Sequence, residues 1–330
     1  MTVLITGGAG FIGSHLCERL AGRGVSVIAL DNFDPFYPVE VKRKNLAGLA
    51  LRENFRLVEA DIRDLARVEA ALQAAGAGGI DTIVHLAARA GVRPSIRDPL
   101  GYTSVNLDGT ASLLELARRL GVSRFIFGSS SSVYGNNRKV PFSEDDPVRE
   151  PISPYAATKR GGELLCHSYH HLYGLSILCL RFFTVYGARQ RPDLAIHKFA
   201  RLMSEGRPIP VYGDGSTERD YTYIDDIIDG VEAALEYTAR PDPCFEIVNL
   251  GESRTTRLDR LIELLSGAMT VEPVIERLRS QPGDVRRTWA NVEKAERLLD
   301  YRPSTPVEEG IPHFVEWFRK ENEPTPFERS

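Results

Sequence analysis

The chain has 330 residues, of which 42% are hydrophobic and 26% are charged, so it is long and apolar enough for one large globular domain and a smaller one. Its formal net charge of -4, without a basic block, gives no reason to expect nucleic-acid binding. The four cysteines are scattered and no apolar run reaches membrane-spanning length, so we expect a cytoplasmic protein without a metal, disulfide or membrane anchor.

The first thirty residues predict a dinucleotide site. Residues 2–6 have the pattern of a short buried strand, which leads into Gly7-Gly8-Ala9-Gly10-Phe11-Ile12-Gly13 and then an amphipathic helix. The three spaced glycines allow a tight turn, close approach to a pyrophosphate and close helix packing. The next predicted strand, residues 25–30, is followed by Asp31, which is spaced to bind the adenosine ribose and would repel the extra phosphate of NADP. The Asp31 carboxylate therefore favours NAD over NADP.

Strand and helix patterns alternate from residue 2 to about 181, which predicts an α/β fold with a doubly wound parallel sheet. The glycine spacing resembles that of the short-chain dehydrogenase/reductase family, and the chain length indicates its extended branch. That resemblance implies a Rossmann-type sheet followed by a smaller α/β substrate domain. The cofactor-binding residues expected from the motif and the resemblance are Gly7, Gly10, Phe11, Ile12, Gly13, Asp31, Asn32, Asp61, Ile62, Leu86, Ala87, Ala88, Asn106, Tyr155 and Lys159.

Two residues near these segments have ordinary structural explanations. Asp61 follows a predicted strand and could instead cap the helix that begins near Asp64. His85 precedes the small residues that would touch the cofactor by their backbone, and we favour a core role for it.

A serine run and a Tyr-x-x-x-Lys pair follow in the chain. The predicted strand 124–128 leads into Ser129-Ser130-Ser131-Ser132, at the strand end where open α/β sheets bind ligands. Tyr155 and Lys159 lie four residues apart in a helical segment, so both can face one bound molecule. The family resemblance makes Ser130, Tyr155 and Lys159 the catalytic set. A Tyr155 phenolate, stabilised by the Lys159 ammonium, would accept the proton of a secondary alcohol whose carbon is oxidised by NAD.

The pattern changes after residue 181, where proline- and arginine-rich loops alternate with short helices. We expect an NAD-binding domain of residues 1–181 with about 222–252, and a UDP-sugar-binding domain of residues 182–221 and 253–330. In the family, helices matching residues 97–119 and 153–173 pair with their copies, so the resemblance implies a homodimer.

The chain resembles the nucleotide-sugar epimerases of this family, and UDP-glucuronate 4-epimerases in particular. Dehydratase relatives carry an Asp-Glu pair, and decarboxylating relatives usually a glutamate, where this chain has Ser131 and Ser132, so elimination is poorly supported and C4 epimerisation through a 4-keto sugar is expected. Thr184 stands where UDP-glucose 4-epimerases generally carry asparagine, and Arg191 matches an arginine that binds the sugar carboxylate. A UDP-glucose 4-epimerase, a UDP-glucuronate decarboxylase and a non-catalytic NAD-binding sensor or scaffold are the alternatives.

By the same resemblance, Tyr212 lies on the uracil, Arg219 reaches the diphosphate and Asp284 binds the uridine ribose. Gln281 stands where many relatives carry an arginine, which weakens one expected phosphate contact, for which Arg279, Arg286 or Arg287 could substitute. Three histidines of one helix, at positions 167, 170 and 171, imitate a metal cluster but are better explained as helix-surface residues. The expected substrate-binding residues are Ser130, Ser131, Ser132, Thr184, Arg191, Tyr212, Arg219, Gln281 and Asp284.

Overall fold

The computed structural model describes residues 1–279 and 285–322. Its centre is a parallel sheet of seven strands in the order β11-β6-β5-β4-β1-β2-β3. The order reverses between β1 and β4, and in doubly wound sheets ligands bind beyond the carboxyl ends of the strands at that point. The Rossmann-type α/β fold is therefore confirmed. The seven strands are β1 (Thr2–Thr6), β2 (Ser26–Asp31), β3 (Phe55–Glu59), β4 (Thr82–His85), β5 (Arg124–Ser130), β6 (Ser176–Phe182) and β11 (Phe245–Leu250).

Helices cover both faces of this sheet, and the sequence of β1 shows why that is required. Val3 and Ile5 belong to one apolar core cluster and Leu4 to another, because successive side chains of a strand point to opposite faces. A strand buried on both faces must be continuously apolar. The helices around the sheet are α1 (Phe11–Gly22), α2 (Val39–Leu46), α3 (Leu65–Ala74), α4 (Val92–Arg97), α5 (Pro99–Thr103), α6 (Gly109–Leu120), α7 (Pro154–Tyr173) and α9 (Ile224–Thr238).

The two helices predicted at residues 97–119 and 153–173 are both present. Helix α5 runs into α6 through a π-helical turn, Ser104–Asp108. Helix α7 begins after Ser153, whose hydroxyl accepts the Ala156 N–H at 3.1 Å, and ends at the left-handed Gly174. These caps fix where the Tyr155–Lys159 segment starts.

In the described residues after β6, three two-stranded sheets and four helices lie outside the central sheet and its helices. The core of this part is not separate, since one apolar cluster runs from β1 through α9 to Phe314 and Phe318 of the last helix. The domain boundary near residue 181 therefore stays a prediction. Among the described residues, no helix combines the length and apolarity that crossing a membrane requires. The elements of this part are β7 (Thr184–Tyr186) with β10 (Tyr221–Tyr223), β8 (Ile209–Tyr212) with β13 (Ile275–Leu278), β9 (Glu218–Arg219) with β12 (Thr256–Arg257), and helices α8 (Ala195–Ser204), α10 (Leu258–Met269), α11 (Glu293–Leu299) and α12 (Val307–Asn322).

Candidate active site

The glycine turn between β1 and α1 is closed so tightly that side chains are excluded. Gly7 has a positive φ of 69°, and a Cβ there would lie 2.8 Å from the Ala87 nitrogen. A Cβ on Gly13 would collide with the carbonyl of Gly7. Helix α1 starts directly after Gly10, so the unpaired N–H groups of its first turn form an anion-binding end. The turn therefore fits the pyrophosphate of a dinucleotide.

Asp31 at the end of β2 is almost fully buried beside this turn. Its carboxylate accepts the Ala9 N–H at 3.1 Å and the Phe33 N–H at 2.8 Å. Burial raises its pKa, and the Lys42 ammonium, 4.0 Å away, opposes that rise. No sequence motif pointed to Lys42, which partly neutralises Asp31 and weakens the repulsion predicted against NADP.

Asp61 follows β3, the strand next to β2, and is not a helix cap. Asp64 caps α3 by accepting the Arg67 N–H at 3.0 Å. Asp61 instead binds the side chains of Arg63, at 2.7 and 2.9 Å, and of Asn32, at 3.1 Å. The hydrogen bonds from Arg63 lower the pKa of Asp61 to about 2.

One cavity of about 440 Å³ joins the glycine turn to the serine run. It is lined by all the predicted cofactor-binding residues except Asn106, and by Ser130, Ser131, Ser132, Thr184 and Arg191. A neighbouring cavity of about 310 Å³ shares Ser131, Ser132 and Thr184 with it and is also lined by Arg219. The serine run thus lies between the two spaces.

Tyr155 and Lys159 lie at the bottom of the larger cavity, both nearly inaccessible to solvent. Burial raises the pKa of Tyr155, while a hydrogen bond with Ser130 and the positive charge of Arg191 oppose the rise. The Lys159 ammonium donates to the carbonyl of Gly128 at 2.6 Å, and burial lowers its pKa to about 8. Arg191 is therefore a cation that favours the Tyr155 phenolate, and the same role for Lys159 stays a prediction.

Arg191 lies within the larger cavity and already has partners there. Its guanidinium binds Asp193 with contacts of 3.0 and 2.8 Å, donates to the Ala90 carbonyl at 3.4 Å, and lies 5.3 Å from the centre of the Phe36 ring. A sugar carboxylate at this position would compete with the Asp193 carboxylate for the same fork of donors.

A model of the NAD dependent epimerase/dehydratase family matches residues 3–251. The chain belongs to this family. It is 41% identical over 320 residues to a UDP-glucuronate 4-epimerase of Thermodesulfobacterium geofontis, covering 97% of this chain and 96% of that protein. A crystal structure of a Bacillus cereus UDP-glucuronic acid 4-epimerase with UDP-glucuronic acid and NAD superposes with a TM-score of 0.89 at 38% identity, covering 97% of this chain and 100% of that one. A Thermotoga maritima UDP-glucose 4-epimerase with UDP-glucose superposes at 0.86 with 35% identity, covering 98% and 100%.

Asn106, which we predicted as a cofactor-binding residue, does not line the larger cavity. Its amide accepts the Arg89 N–H at 2.9 Å and donates to the Arg89 carbonyl and the Thr158 hydroxyl, each at 3.0 Å. It lies in the π-helical turn, which aims its side chain at the loop after β4. Asn106 therefore holds the wall of the cavity from behind.

The predicted nucleotide-binding residues do not all line the smaller cavity. Arg219 lines it, whereas Tyr212 lies at the end of β8 with the Arg93 guanidinium 4.4 Å from its ring centre. Arg93 lines the same cavity, and no sequence motif pointed to it. Arg287 is paired with Glu218 at 2.6 Å. Gln281 and Asp284 lie outside the described residues.

The histidines occupy the structural positions predicted for them. His85 is buried between the Thr6 hydroxyl, at 2.8 Å, and the Thr110 hydroxyl, at 2.9 Å. The rings of His167 and His170 pack against Phe245 at 5.0 and 5.8 Å between ring centres. Within residues 1–279 and 285–322, no cluster of three or more metal-ligating side chains occurs.

Proposed function

We propose that the chain is an NAD-dependent UDP-glucuronate 4-epimerase that interconverts UDP-glucuronate and UDP-galacturonate through a 4-keto sugar. The observation that carries the proposal is the single cavity that contains the glycine turn, the Ser130, Tyr155 and Lys159 side chains, and Arg191. The UDP-glucuronate 4-epimerases to which the chain is similar over nearly its whole length support the same substrate.

The groove between Gly7 and Asp61 would hold the cofactor. Glycines at the turn leave room for the pyrophosphate, and the buried Asp31 carboxylate offers acceptors to ribose hydroxyls. When bound, NAD supplies a reversible acceptor for the hydrogen of the sugar C4 carbon.

Tyr155 would move the proton of the C4 hydroxyl, because it lines the larger cavity and is hydrogen-bonded with Ser130. Its phenolate would accept that proton and, after the keto sugar has turned its opposite face of C4 to the cofactor, the phenol would return the proton to the C4 oxygen. Ser130, which is hydrogen-bonded with Tyr155, holds the C4 oxygen. The side chains next to Ser130 are Ser131 and Ser132, so no carboxylate is available there to remove a proton from the neighbouring carbon.

Arg191, Ser131 and Thr184 would hold the sugar carboxylate. Oxidation at C4 makes the uronate a β-keto acid, which loses carbon dioxide when the scissile bond aligns with the ketone. A carboxylate held in the guanidinium fork is kept from that alignment.

We expect Arg191→Ala to raise KM for UDP-glucuronate and to release UDP-pentose. Arg189→Gln is the control, since Arg189 pairs with Glu18 away from the cavity. Unchanged affinity with no pentose would refute the assigned role.

A UDP-glucose 4-epimerase is the second candidate, and one observation favours it. Asp193 already occupies the Arg191 fork, as in a site that needs no carboxylate from its substrate.

The deciding experiment supplies UDP-glucuronate and UDP-glucose separately to the purified protein and identifies the products by NMR. Preferential conversion of UDP-glucuronate to UDP-galacturonate is expected, and Tyr155→Phe should lose about 100-fold or more in kcat. Preference for UDP-glucose would refute the uronate assignment, a main pentose product would indicate a decarboxylase, and no turnover would indicate a sensor.

A homodimer is part of the proposal. Leu100 on α5 is 81% exposed, and Leu164 and Leu172 on α7 are 54% and 64% exposed. Helices α5 and α7 pack side by side, so these leucines give the helix pair an apolar outer surface that a second copy of the chain would cover. The four free cysteines support a cytoplasmic location, where thiols stay reduced.

A further inference from the structure

The side chains of Arg181 on β6 and Glu163 on α7 form a buried ion pair that the proposed chemistry does not use. They are 1% and 0% exposed, and two parallel hydrogen bonds join them, from Nε to Oε1 at 2.8 Å and from Nη2 to Oε2 at 2.9 Å. Removing two charges from water costs so much that a buried pair stabilises a fold little more than an apolar pair of similar size. This pair therefore needs a reason other than stability.

The Glu163 end of the pair holds the strand that carries the catalytic serine. Glu163 lies one turn after Lys159 on α7 and accepts the hydroxyl of Ser129 at 2.7 Å. Lys159 donates to the carbonyl of Gly128, the residue before Ser129. Helix α7 is thus fixed to two consecutive residues of β5, immediately before Ser130.

The Arg181 end holds the other side of the serine run. Its guanidinium carbon lies 4.8 Å from the centre of the Tyr134 ring, and Tyr134 ends the 3₁₀ turn Ser131–Tyr134. The Tyr134 hydroxyl also donates to Asn249 Oδ1 at 2.7 Å, so the ring cannot turn freely. Ser130, Ser131 and Ser132 therefore lie between two anchors, Ser129 and Tyr134. Ser129 contacts the Glu163 end of the ion pair and Tyr134 contacts its Arg181 end.

We propose that the Arg181–Glu163 pair is a positioning device that sets the serine run against Tyr155 and the sugar. The inference rests on the proposed function. Among the described residues, Ser130 Oγ is hydrogen-bonded within its own turn, to the Ser132 hydroxyl at 3.1 Å and the Ser132 N–H at 3.2 Å, and it contacts Tyr155. Its place relative to Tyr155 consequently follows from how the two anchors hold the turn. A displacement of about 1 Å in such an alignment costs about 100-fold in rate.

The test replaces the pair by apolar residues of similar volume in the double variant Glu163→Leu/Arg181→Met. We expect the melting temperature and the bound NAD content of the wild type, because the apolar pair removes the desolvation cost. We expect kcat to fall about 10- to 100-fold and the fraction of UDP-pentose to rise, because the serines no longer hold the oxygen and the carboxylate in place. A purely structural pair would leave both readouts unchanged once stability is restored.

Arg160→Gln is the matched control. Arg160 also binds the Glu163 carboxylate, at 2.8 Å, but it is 30% exposed and contacts neither anchor of the serine run. Its kcat should stay within about twofold of the wild type.

Two further variants keep the test decisive if the double variant fails to fold. Glu163→Gln preserves the shape and removes the charge, and Arg181→Lys preserves the charge and removes the fork. A lowered kcat with normal NAD content in either variant supports the positioning role. Wild-type kcat in every variant that folds overturns it. Absence of epimerase activity in the wild type refutes the proposed function instead, so the two failures are distinguishable.

Discussion

At the scale of single residues, the burial of Lys159 disfavours the charged form of its side chain. The ammonium is buried, and the group to which it donates, the Gly128 carbonyl, is neutral. Burial lowers its pKa from the usual value of 10.5 to about 8, although the Glu163 carboxylate favours the charged form. Because the pKa is depressed, the charge is lost as the pH rises through about 8, within the range where enzymes are commonly assayed.

We therefore expect kcat/KM to fall above about pH 8, with a slope approaching tenfold per pH unit. An uncharged Lys159 has lost one of its three N–H donors and the positive charge that it brings to the site. The measurement is a pH profile of kcat/KM for UDP-glucuronate, with NAD in excess.

Lys159→Arg is the matching variant for that profile. A guanidinium stays charged throughout the same pH range, so the alkaline fall should disappear or move to higher pH even if the maximum activity is lower. An identical alkaline limb in both proteins would mean that another group causes it.

At the scale of secondary-structure elements, the turn between β1 and α1 shows how a sequence motif becomes a steric requirement. Gly13→Ala would push a methyl group into the Gly7 carbonyl and to 3.0 Å from Gly8 Cα. Both neighbours are backbone and cannot rotate away. We expect a loss of about 1–3 kcal/mol in the free energy of unfolding and a protein purified with little NAD.

Gly22→Ala on the same helix is the control for that prediction. A Cβ at Gly22 meets nothing within 4 Å, so the variant should retain NAD and gain up to about 1 kcal/mol of stability. Denaturant unfolding and the cofactor absorbance of the purified proteins measure both effects. Equal NAD content in the two variants would contradict the steric argument.

What the sequence predicts well is whatever rests on local pattern. The apolar runs give β1 and β2, the glycine spacing gives the turn, and Ser153 with Pro154 gives the start of α7. Contacts between distant segments have no such pattern. Lys42 beside Asp31 and Arg93 over Tyr212 therefore escaped sequence reasoning.

The same limit applies to the surroundings of Asn106 and Lys159. Asn106 lies in a π-helical turn that no periodicity marks, and it supports Arg89 rather than lining the cavity. Lys159 lies one turn after Tyr155, and its ammonium also donates to the Gly128 carbonyl of β5, a contact that the spacing does not predict. Spacing on a helix predicts a shared face and does not predict which neighbour each side chain chooses.

At the scale of the whole molecule, the proposed dimer surface can be tested without touching the active site. Leu164→Glu places a charge on the outer surface of α7, where the leucine is 54% exposed in the single chain. We expect the variant to elute as a monomer in size-exclusion chromatography with light scattering, at concentrations where the wild type is a dimer. Leu51→Glu is the control, because Leu51 is 91% exposed and belongs to the segment before β3, away from α5 and α7. A wild-type monomer would refute the dimer itself.

The whole chain also buries a carboxyl group, that of Glu252. Glu252 follows β11, is 8% exposed, and its backbone N–H donates to Asp220 Oδ1 at 2.8 Å. Within the described residues its Oε2 has no hydrogen-bond partner. Burial, and then the negative charges of Asp226 and Asp220, raise the pKa of Glu252 to about 8.

Because the pKa of Glu252 is higher in the folded chain than the usual 4.5, the folded state binds a proton that the unfolded state has released. The resulting stability is complete below about pH 4.5 and is lost as the pH rises to about 8. Asp220, with a pKa raised to about 6, contributes only to the more acidic part of this range. We therefore expect the wild-type melting temperature to fall between about pH 6.5 and pH 8.5, and Glu252→Gln, which is neutral throughout, to flatten the fall. Parallel curves for the two proteins, measured by scanning calorimetry in matched buffers, would show that Glu252 does not hold this proton.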